Sequence, residues 1–137
     1  MITKNDFYVL SCDSLLTESE TNMQILKNNK IFDHTFYSHR QIIWYNNLLY
    51  IAGNIGEVSD NKPYVGYFDG NSFTEINTNM SSGSIFTMIV HENKLYIGGR
   101  NSDKKPYLAY LDGNSFKSIN TNYDSGCIFT MIVQQHI

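Results

Sequence analysis

A chain of 137 residues with 42% hydrophobic and 14% aromatic side chains can bury one packed core, and with two prolines and nine glycines it is neither collagen-like nor low-complexity. A net charge of −3 supplies no basic field for nucleic acid, and no apolar run approaches the roughly 18 residues of a membrane span, so neither kind of partner is expected. Cys12 and Cys127 show no CxxC or metal-type spacing and are expected as small, unpaired packing residues.

In chain order, residues 1–6 are polar, without the basic start and long apolar run of a signal peptide, and the expected location is the cytoplasm. Residues 7–13 (FYVLSCD) pattern with two later stretches: Tyr8-Val9 and Asp13 match Tyr64-Val65 and Asp69, and Tyr107-Leu108 and Asp112. Residues 14–30 carry neither a helical stripe nor clean alternation; a long loop, a hairpin or a short helix remain open. Residues 31–37 (IFDHTFY) are expected as an outer strand.

From residue 41 the pattern sharpens. An apolar run at 41–45, containing the one tryptophan, Trp44, is followed by an Asn46-Asn47 turn and the run Leu49-Tyr50-Ile51-Ala52-Gly53. After a polar loop, Pro63 opens a third run, Asp69-Gly70 marks a hairpin and 73–76 reads as a half-exposed fourth strand. The unit then recurs. Leu95-Tyr96-Ile97-Gly98-Gly99 follows 46 residues after Leu49, and KPYLAYLDGNSFKSINTN (105–122) follows KPYVGYFDGNSFTEINTN (62–79) by 43. The loop 54–62 is therefore three residues longer than its counterpart 100–105, an insertion confined to a connection. SGSIFTMIV (82–90) likewise returns as SGCIFTMIV (125–133).

Four short strands repeating every 40–50 residues are the signature of a β-propeller blade. The expected fold is all-β, with about three four-stranded antiparallel blades in one domain, 1–137. Two are complete, at 41–79 and 85–122. A third is split between a third and fourth strand in 7–37 and a trailing first strand at 127–133.

The glycine pair Gly98-Gly99, together with Tyr110 followed six residues later by Phe116, resembles the kelch-type β-propeller repeat; Tyr67 and Phe73 keep the same spacing. Phe73 and Phe116 stand where the kelch family has tryptophan, and Ala52 replaces the first glycine of one pair. The resemblance implies protein binding through loop faces. Three blades are fewer than the about four to eight of a closed ring. Two solutions present themselves: a homodimer completing a six-bladed ring, in which the trailing strand of one chain joins the leading strands of the other, or a chain that is a fragment of a longer repeat protein.

No nucleophile–base set, phosphate-binding glycine loop or paired-carboxylate motif is legible, so a non-enzymatic chain without cofactor or metal is expected. His34, His39 and Asp33 read as polar residues at a strand end, and the two Asp-Gly-Asn-Ser stretches as hairpin turns. The loops 54–62 and 100–105 diverge between alike flanks, which is where repeat scaffolds build binding surfaces; Asn54, Glu57, Asp60, Arg100 and Asp103 are the candidate contact residues. The leading expectation is a protein–protein interaction or structural assembly module. Eight lysines against two arginines, with abundant Asn, Ile and Tyr, suit AT-rich coding and so a virus, protist or low-GC bacterium; for a viral chain the expected location is host cytoplasm or virion. The alternative is a lectin-like, glycan-binding propeller formed by oligomerisation.

Overall fold

The computed structural model describes residues 7–10, 15–18, 25–29, 37–55, 62–70 and 72–134. All regular elements among them are strands: β1 (Phe7–Leu10), β2 (Leu15–Glu18), β3 (Ile25–Asn29), β4 (Tyr37–Tyr45), β5 (Leu48–Ile55), β6 (Lys62–Phe68), β7 (Phe73–Ile76), β8 (Gly83–His91), β9 (Lys94–Asn101), β10 (Pro106–Asp112) and β11 (Ser115–Ile119). They form three antiparallel sheets in strictly sequential order, β1-β2-β3, β4-β5-β6-β7 and β8-β9-β10-β11. The fold is all-β, and no described sheet closes on itself.

The two four-stranded sheets are built by the same local rules. Each begins with a two-residue hairpin, Asn46-Asn47 or Glu92-Asn93, with positive φ at both positions (53° and 62°, 48° and 65°). That is the primed turn whose twist matches paired strands, and asparagine tolerates it far better than glutamate does. Glu92→Asn, which installs the residue of the sister turn, is therefore expected to raise stability by about 0.5–1 kcal/mol. An unchanged or lowered thermal midpoint would show that Glu92 is not strained. Both sheets also shift register at the same place on the first strand, between His39 and Gln41 and between Ile85 and Thr87. The extra residue bends the strand and increases its twist.

Burial runs through both faces of β5 and most of β6, where Leu49–Asn54 and Pro63–Gly66 are buried in succession. Tyr50, Ala52, Val65 and Ile76 of the first four-stranded sheet share one core with Ile85, Met88, Leu95, Ile97, Tyr107, Ala109 and Phe116 of the second. Strand β8 is the hinge of this core, because it lies across β4, β5 and β6 while pairing with β9. Trp44, on β4, is half-buried. The sheets are stacked face to face, and Tyr45 ties their ends by donating its hydroxyl to the Asn93 carbonyl (2.8 Å).

The structure departs from the sequence pattern at two places. The pattern predicts two strands in residues 7–37, a third and a fourth of a unit; the described residues there form three, with β2 and β3 inside 14–30, and Tyr37 already belongs to β4. Residues 31–36, including Asp33 and His34, lie outside the described residues, as does Cys12. The trailing segment 127–133, expected as a strand, makes no ladder. A strand exists only where a neighbour pairs with it in a ladder, and the segment's one hydrogen bond to a described strand, from the Ile128 amide to the Gly99 carbonyl of β9, does not make one.

Candidate interaction surface

The two stacked sheets are joined by a short link that the repeat writes twice. In the first copy, Asn77 Oδ1 accepts from the Asn79 amide and Asn77 Nδ2 donates to Asn79 Oδ1, both at 2.9 Å, with Asn79 at φ 61°. In the second, Asn120 Oδ1 accepts from the Asn122 amide at 2.9 Å, with Asn122 at φ 64°. The first link also reaches the next sheet. Asn79 Nδ2 donates to the Phe116 carbonyl (2.7 Å), the Phe116 amide donates to the Asn77 carbonyl (3.0 Å), and the buried Tyr107 hydroxyl donates to the Thr78 carbonyl (2.8 Å). Asn79→Ala removes a left-handed asparagine, the exposed bond it accepts from Asn77 and an inter-sheet hydrogen bond, an expected loss of about 2 kcal/mol; Asn122→Ala removes the turn preference, about 1 kcal/mol. Equal losses in a denaturant titration would mean that the Phe116 bond contributes nothing.

Beside each link lies an open cleft. One, of about 390 Å³, is lined by Lys62, Pro63, Ile76, Asn77 and Thr78. The other, of about 560 Å³, is lined by the repeat-equivalent Lys105, Pro106, Ile119, Asn120 and Thr121, together with Tyr107 and Tyr123. The polar amides and hydroxyls, with an aromatic rim in the larger cleft, can hydrogen-bond a polar ligand; they form no catalytic set. Among the described residues no three His, Cys, Asp or Glu side chains gather as metal ligands, and no helix is long and apolar enough to cross a membrane.

The loop candidates separate. Asn54 is only 2% exposed, with Nδ2 donating to Ser84 Oγ (3.0 Å) and Oδ1 buried without a hydrogen-bond partner. It sits between the sheets and is not a loop-surface contact, which corrects its reading as one. Arg100 and Asp103 are exposed, and the Asp103 amide is held by Asn101 Oδ1 (3.0 Å), which also accepts from the Lys105 amide (3.1 Å). Glu57 and Asp60 lie outside the described residues. Both Asp-Gly-Asn-Ser stretches sit at hairpins: the Ser72 amide donates to Asp69 Oδ1 (2.9 Å), while Asp112 and Ser115 face each other in the β10–β11 register. A hydrogen bond from Lys117 (2.7 Å) and its charge pull the Asp112 carboxyl below its ordinary range.

Sequence reasoning did not find the largest feature of the surface. Asn54 and Arg100 are equivalent positions, yet the first is buried and the second exposed. The same holds for Met80 (8%) against Tyr123 (70%), and Val65 is fully buried where Leu108 is half-buried. In every pair the residue of the first four-stranded sheet is covered by the second, and the residue of the second is left more open. Phe129 (69%) and Ile132 (90%), from the trailing segment, stand on this side too, with Phe129 stacked on Phe86 at 5.1 Å between centroids. The only available signal was the near-identity of 82–90 and 125–133, which says that the two segments are built to be buried alike. Cys127 is a half-buried free thiol. Compared with protein-family models, curated proteins and solved structures, the chain matches none.

Proposed function

We propose that the chain is a non-enzymatic assembly and protein-interaction module, built from kelch-like propeller blades that complete a ring by association. The observation that carries this reading is the set of exposed apolar side chains that follows the second four-stranded sheet, Tyr123, Phe129, Ile132 and Val133. Tyr123 and Phe129 alone offer on the order of 300 Å² there, and with Ile132 and Val133 the patch reaches the size that marks interaction sites on soluble proteins. Light scattering after size exclusion tests it: a mass above that of the 15.8 kDa chain is expected. A folded monomer at every concentration would overturn the assembly reading.

A second reading, a lectin-like glycan-binding propeller, draws support from the recurrence of the cleft beside each link. It requires glycan binding that is lost on replacing Asn77 and Asn120. Turnover of a substrate would sink both readings.

A further inference from the structure

We infer that residues 127–133 of one copy add as an innermost strand to the edge of β1 that no described strand pairs with, in a second copy whose β1-β2-β3 sheet then covers the open side of the second four-stranded sheet. This inference rests on the assembly reading and names its partner and its site.

The strand in need of a sheet comes first. Residues 125–133 repeat 82–90 with one change, Ser84 to Cys127. The earlier copy is β8, laddered to β9 from Gly83 to His91 across one register shift, with Ile85 and Met88 at 0% and 4% exposure. The later copy sets out along the same path. Gly83 and Gly126 share a positive φ (122° and 115°), and Asn79 and Asn122 share another (61° and 64°). The Gly126 amide donates to the Lys104 carbonyl and the Ile128 amide to the Gly99 carbonyl, both at 3.0 Å, which seats the segment against the second sheet. From there Phe129 and Ile132 project into solvent, and no described strand pairs with the segment.

The sheet in need of a strand is in the same chain. Two sheets have four strands; among the described residues β1-β2-β3 has three. The position of the vacancy follows from the connections. β4 follows β3 in the chain as β8 follows β7, so β3 takes the outer place and, among the described strands, the open place is beside β1. The residues of β1 agree. Phe7-Tyr8-Val9 reads like Leu49-Tyr50-Ile51 on β5 and Leu95-Tyr96-Ile97 on β9, the strands that pair with β4 and β8. The new join continues an interface the molecule already has. The second sheet covers the first through β8, and the third sheet of a neighbour would cover the second through residues 127–133 in the same way. Two chains related by a two-fold axis satisfy both edges at once.

The register can be transferred. Met88, Ile89 and Val90 face Ile97, Tyr96 and Leu95, so Met131, Ile132 and Val133 of one copy should face Val9, Tyr8 and Phe7 of the other. Facing residues in an antiparallel ladder have Cα atoms roughly 4.5–5.5 Å apart, within disulfide reach, while a slip of one residue turns the side chains to opposite faces.

In a Cys12→Ser, Cys127→Ser background of the full chain, Tyr8→Cys with Ile132→Cys is expected to give a covalent dimer on mild oxidation, and Val9→Cys with Ile132→Cys to give little. Separately, Ile132→Asp places a charge on a side chain that is 90% exposed in one copy, so the fold should survive while dimer affinity falls by at least about 100-fold. A dimer that shows no register preference and is indifferent to Ile132→Asp would overturn this edge and leave the assembly reading standing. A disulfide formed within one chain would overturn the second copy as occupant. A wild-type chain that stays monomeric would overturn both.

Discussion

Gly99→Ala is expected to destabilise the fold by about 3 kcal/mol or more, while Gly98→Ala, one residue away, costs about 1 kcal/mol or less. A Cβ on Gly99 would fall 1.9 Å from the Ser84 carbonyl oxygen and 2.9 Å from Ile85 Cα. Both are backbone atoms of β8 at the register shift, and neither can retreat without parting β8 from β9. A Cβ on Gly98 meets side chains instead, Ile128 Cγ2 at 2.7 Å and Thr87 Cγ2 at 3.1 Å. Ile128 is half-buried at the open edge and can swing away. The repeat itself argues the same point: the position equivalent to Gly98 is Ala52, fully buried, and the position equivalent to Gly99 is again glycine, Gly53. Urea midpoints of the two variants decide it. Similar losses would mean that the close approach at Gly99 is not what holds β8 in place.

The second large effect is alkaline. Burial pushes the Tyr107 phenol up to about 12. Tyr50 is raised to about 12 by burial first, and then by Tyr45 and Tyr67 beside it, with ring centroids 5.6 and 5.7 Å away. Below pH 10 both phenols are protonated whether the chain is folded or not, and their contribution is constant. Above pH 10 the unfolded chain releases protons that the folded chain keeps, so stability falls as pH rises, until the folded phenols ionise near pH 12. Each tyrosine can withdraw up to about 1.4 kcal/mol per pH unit across that window. Unfolding free energies measured from pH 8 to pH 12 should therefore bend downward at 10, and Tyr50→Phe or Tyr107→Phe should each flatten the bend. Tyr107→Phe has an extra cost of about 1–2 kcal/mol at neutral pH, because the buried Thr78 carbonyl loses its donor. A pH profile identical to wild type in both variants would show that these phenols are not the groups responsible.

Much of the two four-stranded sheets was legible because their signals are local. Asn46-Asn47 and Asp112-Gly113 sit at hairpins, and the runs around Tyr50 and Tyr96 are bounded by turn residues on both sides. The first sheet was less legible because its strands are four or five residues long. Leu15-Leu16 and Ile25-Leu26 put two apolar residues side by side, which is too little to show a period of two. Asn54 and Arg100 show a different limit. Equivalent places in the repeat gave them the same status as loop candidates, but burial depends on whether another sheet lies on top, and no local pattern reports that. The trailing segment is the extreme case. All but one of its residues are those of β8, and what separates a strand from a bare stretch is that no described strand pairs with it in a ladder.

Twin segments also set a problem for the folding chain. Because 82–90 and 125–133 differ only at Ser84 and Cys127, their chemistry gives β9 almost no means of telling one from the other. What distinguishes them is the length of chain to be closed: two residues for the hairpin from β8, roughly two dozen for a return from 125–133, a difference of about 2 kcal/mol in closure entropy. Correct pairing is then a race won by the shorter tether, and a longer β8–β9 turn would hand the later segment a chance to take its twin's seat.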